Sequence, residues 1–312
     1  MAGPSLLDRR LLLVTGKGGV GKSTVSAALA LLAARAGKRV LVCEVNARER
    51  VAPLLGAPPA GPVIREALPG LSTVNVTPQE SMREYGLMVL KFRTIYDAVF
   101  ENRLVRYFLK AIPSLAELVM LGKILHETRA EERGRPRWDL VVVDAPATGH
   151  AVQLFRVPAV LMDTVPAGPL RRDAEWMRDL LLDPAKTALS IVTLPEEMPV
   201  NESIELDAQV REVLGIPRGV LFVNALPEIR FPPAERERLA SLEAEPPPLG
   251  PAARAAVLQA RRAEEAGHYA QRVLAAVDLP AAVLPLLALD HWGLEAVERI
   301  AEAIEAGLGS RS

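Results

Sequence analysis

Cysteine is almost absent from the chain: Cys43 stands alone among 312 residues. A lone thiol can build neither an internal disulfide, nor a two-cysteine metal clip, nor an iron–sulfur set within one chain, and a reducing cytoplasm is the expected compartment. An excess of either charge is missing too. The formal net charge is -1, which supplies no global attraction for polyanions, and no nucleic-acid partner is expected. Long apolar runs are also lacking. Residues 11–14 are too few to cross a bilayer and lead directly into a glycine-rich turn, so neither an integral membrane segment nor a signal peptide is expected. Lysine is scarce, at seven of the 37 basic residues, yet two of the seven, Lys17 and Lys22, stand close together and need a local explanation. What is abundant is core material. Half of the residues are hydrophobic and 24% are charged, a balance that excludes wholesale disorder.

Short apolar runs punctuated by glycine and separated by helical stretches dominate the order along the chain. Residues 11–14 predict a buried strand, residues 24–36 an Ala/Leu-rich helix closed by Gly37, and residues 39–43 the next strand, together one βαβ unit. Further strands are predicted at 71–76, 140–143, 188–193, 220–223 and 282–287. Strands alternating with helices predict an α/β fold with a doubly wound, mostly parallel sheet. Residues 80–132 contain no convincing strand but have helical patterning at 85–109 and 115–126, and a second helical stretch over 157–182 is interrupted by Pro166 and Pro169. These two segments, 80–132 and 157–182, are expected to form a helical subdomain inserted into a single domain spanning residues 1–312. Met162, Trp176, Met177 and Leu180 to Leu182 in the second segment read either as a core-facing stripe or as a partner-binding face. The Arg/Glu-rich segments 234–242 and 252–277 predict solvated helices that pack one stripe onto the sheet.

Residues 16–23, Gly16-Lys17-Gly18-Gly19-Val20-Gly21-Lys22-Ser23, fit the phosphate-binding pattern GxxxxGK[ST] between a predicted strand and a predicted helix. Glycines at Gly18, Gly19 and Gly21, with Val20 between them, let backbone N–H groups and the helix N-terminus wrap a phosphate. Lys22 is expected on the β- and γ-phosphates, the Ser23 hydroxyl on Mg²⁺, and Thr24 on a phosphate oxygen. Residues 140–144 are a hydrophobic strand ending in Asp144, the Walker B arrangement for holding the same metal. ATP and Mg²⁺ are the expected ligands.

With Lys17 the motif becomes KGGxGK[ST], the deviant Walker A form, and Asp144-Ala145-Pro146-Ala147-Thr148-Gly149-His150 resembles the switch segment DTAPTGH of the arsenite-pump and tail-anchored-protein-targeting ATPases. Residues 76–80 with Glu84-Tyr85, residues 113–125, residues 193–202, Val223-Asn224 and Pro285-Leu286-Leu287 extend the resemblance over most of the chain. The protein therefore resembles an ArsA-like ATPase of the single-P-loop type. The resemblance implies that Lys17 acts across a dimer on the partner's nucleotide, that Asn224 reads adenine, and that the loop at Pro285 covers the other side of the base. It also implies a nucleotide-driven dimeric switch, a homodimer or a heterodimer with a paralogue, acting on a client that the sequence does not identify. His150 is expected to be a hydrogen-bonded switch residue rather than a general base.

Three departures bear on this picture. Cys43 alone cannot form the three-cysteine arsenite site or the CxxC zinc pair of relatives. The sequence carries one P-loop, so two chains must meet for Lys17 to act in trans. Aligned from Gly56, Asn46 stands where relatives carry the aspartate that orients the attacking water. An asparagine carbonyl accepts a hydrogen bond from water but contributes no negative charge. A register shifted by two residues would put Glu44 there instead. The competing functional readings are a nucleotide-binding scaffold with little hydrolysis that works with an active paralogue, and a chromosome- or division-site-positioning ATPase, which the switch and helical-domain motifs disfavour.

Overall fold

The computed structural model of the protein describes residues 6–90 and 115–309. Eight strands form one sheet in the order β10-β9-β8-β1-β7-β2-β4-β3. Seven of them are the predicted strands, now bounded as β1 (Leu11–Gly16), β2 (Val40–Val45), β4 (Leu71–Val76), β7 (Leu140–Ala147), β8 (Thr187–Thr193), β9 (Arg218–Leu226) and β10 (Ala281–Pro285), and they pair in parallel. The eighth, β3 (Arg65–Leu68), is an addition: it pairs antiparallel to β4 at the edge. Its sequence, Arg-Glu-Ala-Leu, carries no strand periodicity. The turn through Gly70, at φ +75°, folds it back on β4, and an exposed charged edge strand resists pairing with other chains. A two-strand hairpin, β5 (Glu131–Glu132) and β6 (Arg135–Pro136), also forms, so the segment 80–132, expected to contain no strand, ends in a short one.

Both faces of the sheet are covered because the strands are apolar at successive positions rather than alternate ones. Leu11 and Leu13 of β1, Val141 and Val143 of β7 and Ile191 of β8 contribute to one core layer; Leu12, Val14, Val142 and Val192 contribute to the other. The second layer is closed by α1 (Lys22–Arg35) and α10 (Leu294–Gly309), which pack on each other. Helix α1 buries residues on nearly every side, including Ala27, Ala28, Leu29 and Ala30, and its alanines permit that close approach between sheet and helix. The first layer is closed by α4 (Leu115–Arg129), α5 (Thr148–Thr164), α6 (Pro169–Leu182), α7 (Glu197–Gln209) and the long α9 (Leu249–Ala276). Helix α9 buries Ala253, Val257, Ala260, Ala263, Ala266, Ala270 and Val273, a single stripe at three- and four-residue spacing, as its Arg/Glu-rich sequence predicts. Helix α8 (Pro233–Ser241) packs beside it.

The helical stretches sit on the first face. Helix α3 (Pro78–Leu90) packs on α4, α4 on α5 and α5 on α6. The part of the helical expectation at 91–109 lies outside the described residues. The second stretch begins earlier than its periodicity suggests, at Thr148, and its break falls after Thr164. Pro169 opens α6 in the first turn, where its missing N–H has no intrahelical partner to lose. The predicted strand at 140–143 is longer than expected. Ala147 pairs with Gly16 and the Thr15 hydroxyl donates to the Pro146 carbonyl at 3.1 Å, so β1 holds the segment after Asp144 in extended form.

Candidate nucleotide-binding site

The carboxyl ends of β1, β7 and β2 bring the candidate residues together at the middle of the sheet, the position where α/β sheets bind ligands. Strand β1 ends on Gly16, where a Cβ would stand 2.1 Å from the Val192 carbonyl oxygen of the neighbouring strand. Only glycine fits. Gly19 and Gly21 have φ of +87° and +92°, left-handed values that turn the loop back toward its own start. The chain then enters α1 with Gly21 as its N-cap and no side chain capping the helix, leaving the first-turn N–H groups to an incoming anion. Lys22 Nζ spans the loop and donates to the Lys17 carbonyl at 3.0 Å. Burial pushes the Lys22 pKa down, and the charge of Asp144 opposes that shift.

Register places Asp144 beside Val14 on one side and Glu44 on the other. Asp144 is 6% exposed, and the Ser23 hydroxyl donates to its Oδ2 at 2.6 Å while Ser26 Oγ lies 3.4 Å from its Oδ1. Burial raises the Asp144 pKa, with the Ser23 hydrogen bond and the Lys22 charge acting in the opposite direction. A hydroxyl and a carboxylate held within one hydrogen bond, both hard oxygen donors at a helix N-terminus, suit Mg²⁺. The donor set fits the metal that the motif implies.

Gly19, Gly21, Lys22, Ser23 and Asp144 line a cavity of about 940 Å³ that also takes in Thr24, Asn46, Arg48, Arg50 and Trp292. Asn46 is exposed, has φ +46° and donates its backbone N–H to the Val76 carbonyl at 2.8 Å. Asparagine tolerates left-handed backbone better than most residues, which is a conformational reason for its presence there. Glu44 is withdrawn from the cleft: it is 1% exposed, and its Oε1 accepts the N–H groups of Arg50 and Val51 at 2.6 and 3.2 Å, bridging the start of α2 (Val51–Leu54). Its Oε2 is buried and has no hydrogen-bond partner among the described residues. Burial, the largest cause, raises its pKa to about 7.

The raised Glu44 pKa carries a stability consequence. The unfolded chain releases this proton near the ordinary value of 4.5, whereas the folded chain keeps it up to about 7. Stability from this group is complete below about pH 4.5, falls as pH rises to about 7, and totals about 3 kcal/mol. Glu44→Gln keeps an acceptor for the two N–H groups without ionising, so denaturant unfolding at about pH 5 and about pH 8 should show a flatter pH dependence than the parent. Equal slopes would show that Glu44 does not change its protonation on folding.

On the opposite side of the loop Lys17 Nζ meets Glu202 Oε1 of α7 at 2.6 Å, and the Thr148 hydroxyl lies 3.4 Å from Glu202 Oε2. Asn224, at the end of β9, donates its side-chain amide to the Val20 carbonyl at 2.9 Å. A Cβ at Gly21 would meet that amide at 2.2 Å, so the loop and the asparagine are fitted to each other.

Residues 9–167, more than half of the chain, match the model of the anion-transporting ATPases. The match runs from just before β1 to just beyond α5 and takes in the P-loop, Asp144 and the segment after it. The chain belongs to the anion-transporting ATPase family. It is 33% identical over 221 residues to the ATPase BagA of Mycobacterium tuberculosis, covering 69% of this chain and 64% of that protein. It is 26% identical to a putative arsenical pump-driving ATPase of Halobacterium salinarum, over 70% of this chain and 36% of the relative. An arsenical pump-driving ATPase of Acidiphilium multivorum is also 26% identical, over 74% and 41%. The chain thus spans somewhat less than two thirds of the length of the mycobacterial relative and less than half of the other two.

Within this family frame, Gly19, Gly21, Lys22, Ser23, Thr24, Asn46 and Asp144 all line the main cavity, while Gly18 lines the neighbouring one with Thr148 and Glu202. Val20 is buried under the loop. Asn224 is bonded to the loop, and Pro285 is exposed at the end of β10, in register with Leu226. Cys43 is fully buried and burial pushes its thiol pKa up, which makes it a packing residue. Sequence reasoning did not give roles to Glu202 or Trp292. Glu202 lies in a segment that carried the family resemblance, but its partner is 185 residues away in sequence. Trp292 is 55% exposed, and the apolar pattern of a sequence gives no sign that a tryptophan faces a cleft.

Proposed function

We propose that the protein is a Mg²⁺-dependent ATP hydrolase, and that two chains close on ATP and open after hydrolysis to act as a switch for a client. The observation that carries the reading is the Ser23–Asp144 contact at the mouth of a left-handed glycine loop whose lysine, Lys22, already spans it. Bound Mg²⁺ would neutralise charge on the β- and γ-phosphates and would be held by Ser23 and Asp144. The N–H groups of residues 18–24 orient the phosphates, Lys22 adds a fixed charge, and Asn46 accepts a hydrogen bond from the attacking water. Lys17 completes the partner's site electrostatically, as an arginine finger does, because phosphoryl transfer depends on positioning and charge stabilisation more than on covalent help. Asn224 and the loop at Pro285 contact the base. The dimer is a homodimer or pairs with a paralogue, and the protein works in the cytoplasm. The client-binding surface is assigned to the segments 80–132 and 157–182, of which the structure describes 80–90, 115–132 and 157–182, and which the nucleotide fold does not require.

Asn46 favours a second reading, a scaffold that binds nucleotide and turns over little. Single-turnover hydrolysis combined with size-exclusion chromatography in ATP, ADP and no nucleotide separates the two. Hydrolysis with ATP-dependent dimers supports the switch; binding without turnover supports the scaffold. Lys22→Ala should weaken ATP binding by about tenfold to a hundredfold, the usual worth of a charge-assisted contact, measured by titration with a fluorescent ATP analogue. Unchanged affinity would contradict the role given to Lys22.

A further inference from the structure

Lys17 and Glu202, 185 positions apart in sequence, form an ion pair. It joins the P-loop to α7 at 2.6 Å, with side chains 26% and 34% exposed, and it lies beside an open cavity of about 590 Å³ lined by Gly18, Thr148, Gly149, His150, Gln153 and Glu202, among others. The second oxygen of the same carboxylate faces the hydroxyl of Thr148, the first residue of α5 and the continuation of the strand that carries Asp144. One carboxylate therefore touches the P-loop lysine outside the minimal motif and the segment that follows Asp144.

We propose that Glu202 is a positioning residue that parks Lys17 in the separate chain and releases it when two chains close on ATP. The inference rests on the reading that Lys17 acts in trans. A lysine parked against a carboxylate is already neutralised, so the partner's nucleotide must compete for it. A triphosphate, with more negative charge than a diphosphate, competes better, and the latch raises the threshold for closing on either. Because Thr148 shares the carboxylate, movement of the segment after Asp144 alters the hold on Lys17.

The experiment measures dimer dissociation constants by sedimentation velocity in an unhydrolysable ATP analogue with Mg²⁺. Glu202→Gln keeps the shape of the side chain, and its partly exposed position lets the variant fold. A partly exposed ion pair is worth roughly twofold to fivefold, and a symmetric dimer releases two, so the variant dimer should be about four- to 25-fold tighter than the parent. The double variant Lys17→Ala/Glu202→Gln should stay as monomeric as Lys17→Ala alone, a dependence that a purely structural role for Glu202 would not produce. An unchanged or weaker Glu202→Gln dimer overturns the latch, and so does a double variant that regains dimers. If Lys17→Ala by itself still forms ATP-dependent dimers, the trans reading falls and the latch falls with it. If Lys17→Ala is monomeric while Glu202→Gln gains nothing, the latch alone is rejected.

Discussion

Replacing Lys17 by alanine should leave ATP binding to the separate chain largely intact while abolishing both ATP-stabilised dimers and turnover. The contact that Lys17 makes within its own loop is its carbonyl, which accepts Lys22 Nζ, and alanine keeps that carbonyl. Its side chain reaches away to Glu202. Removing a charge supplied across an interface costs phosphoryl transfer roughly 10³–10⁵-fold in systems that use an arginine for this purpose, and a loss of that order is expected here. Equilibrium titration with a fluorescent ATP analogue, single-turnover hydrolysis and sedimentation in ATP read the three consequences separately. Turnover within a few-fold of the parent would remove the trans role of Lys17.

A gain is expected at Asn46. Asn46→Asp places a carboxylate at an exposed position lining the cleft with Lys22, Ser23 and Asp144. The left-handed φ of +46° is accessible to aspartate as well as asparagine, so the backbone should be retained. If Asn46 faces the attacking water, the single-turnover rate should rise on the order of 10²-fold, the low end of a general-base contribution, with little change in ATP affinity. Glu44→Gln is the companion measurement. The Glu44 carboxylate is buried and bonded to the N–H groups of Arg50 and Val51, so its loss should alter the pH dependence of stability far more than the rate. A large rate loss in Glu44→Gln with no gain in Asn46→Asp would make Glu44 the acid of this site.

Much of the architecture is legible locally. Strands such as residues 11–14 and 140–143 announce themselves because burial on both faces demands unbroken apolar runs, and the P-loop does so because its glycines adopt φ values that other residues resist. The α9 stripe is equally readable, since one buried face at helical spacing leaves its record in the order of alanines and arginines. By contrast, β3 is a strand only because β4 offers it an edge, and its Arg-Glu-Ala-Leu sequence has no periodicity to read. The candidate site divides in the same way. Lys17, Lys22, Ser23 and Asp144 are visible from motif spacing, which suffices to read a P-loop motif and an apolar strand that ends in an acid. What each of them touches is set by the folded chain: Ser23 meets Asp144, Asn224 bonds the loop at Val20, Glu44 accepts the N–H groups at the start of α2, and Glu202 pairs with Lys17. Those contacts join residues from 6 to 204 positions apart in sequence. Local pattern reports the conformation of a segment, whereas which segments meet depends on the order of strands in the sheet, and no short window of sequence contains that order.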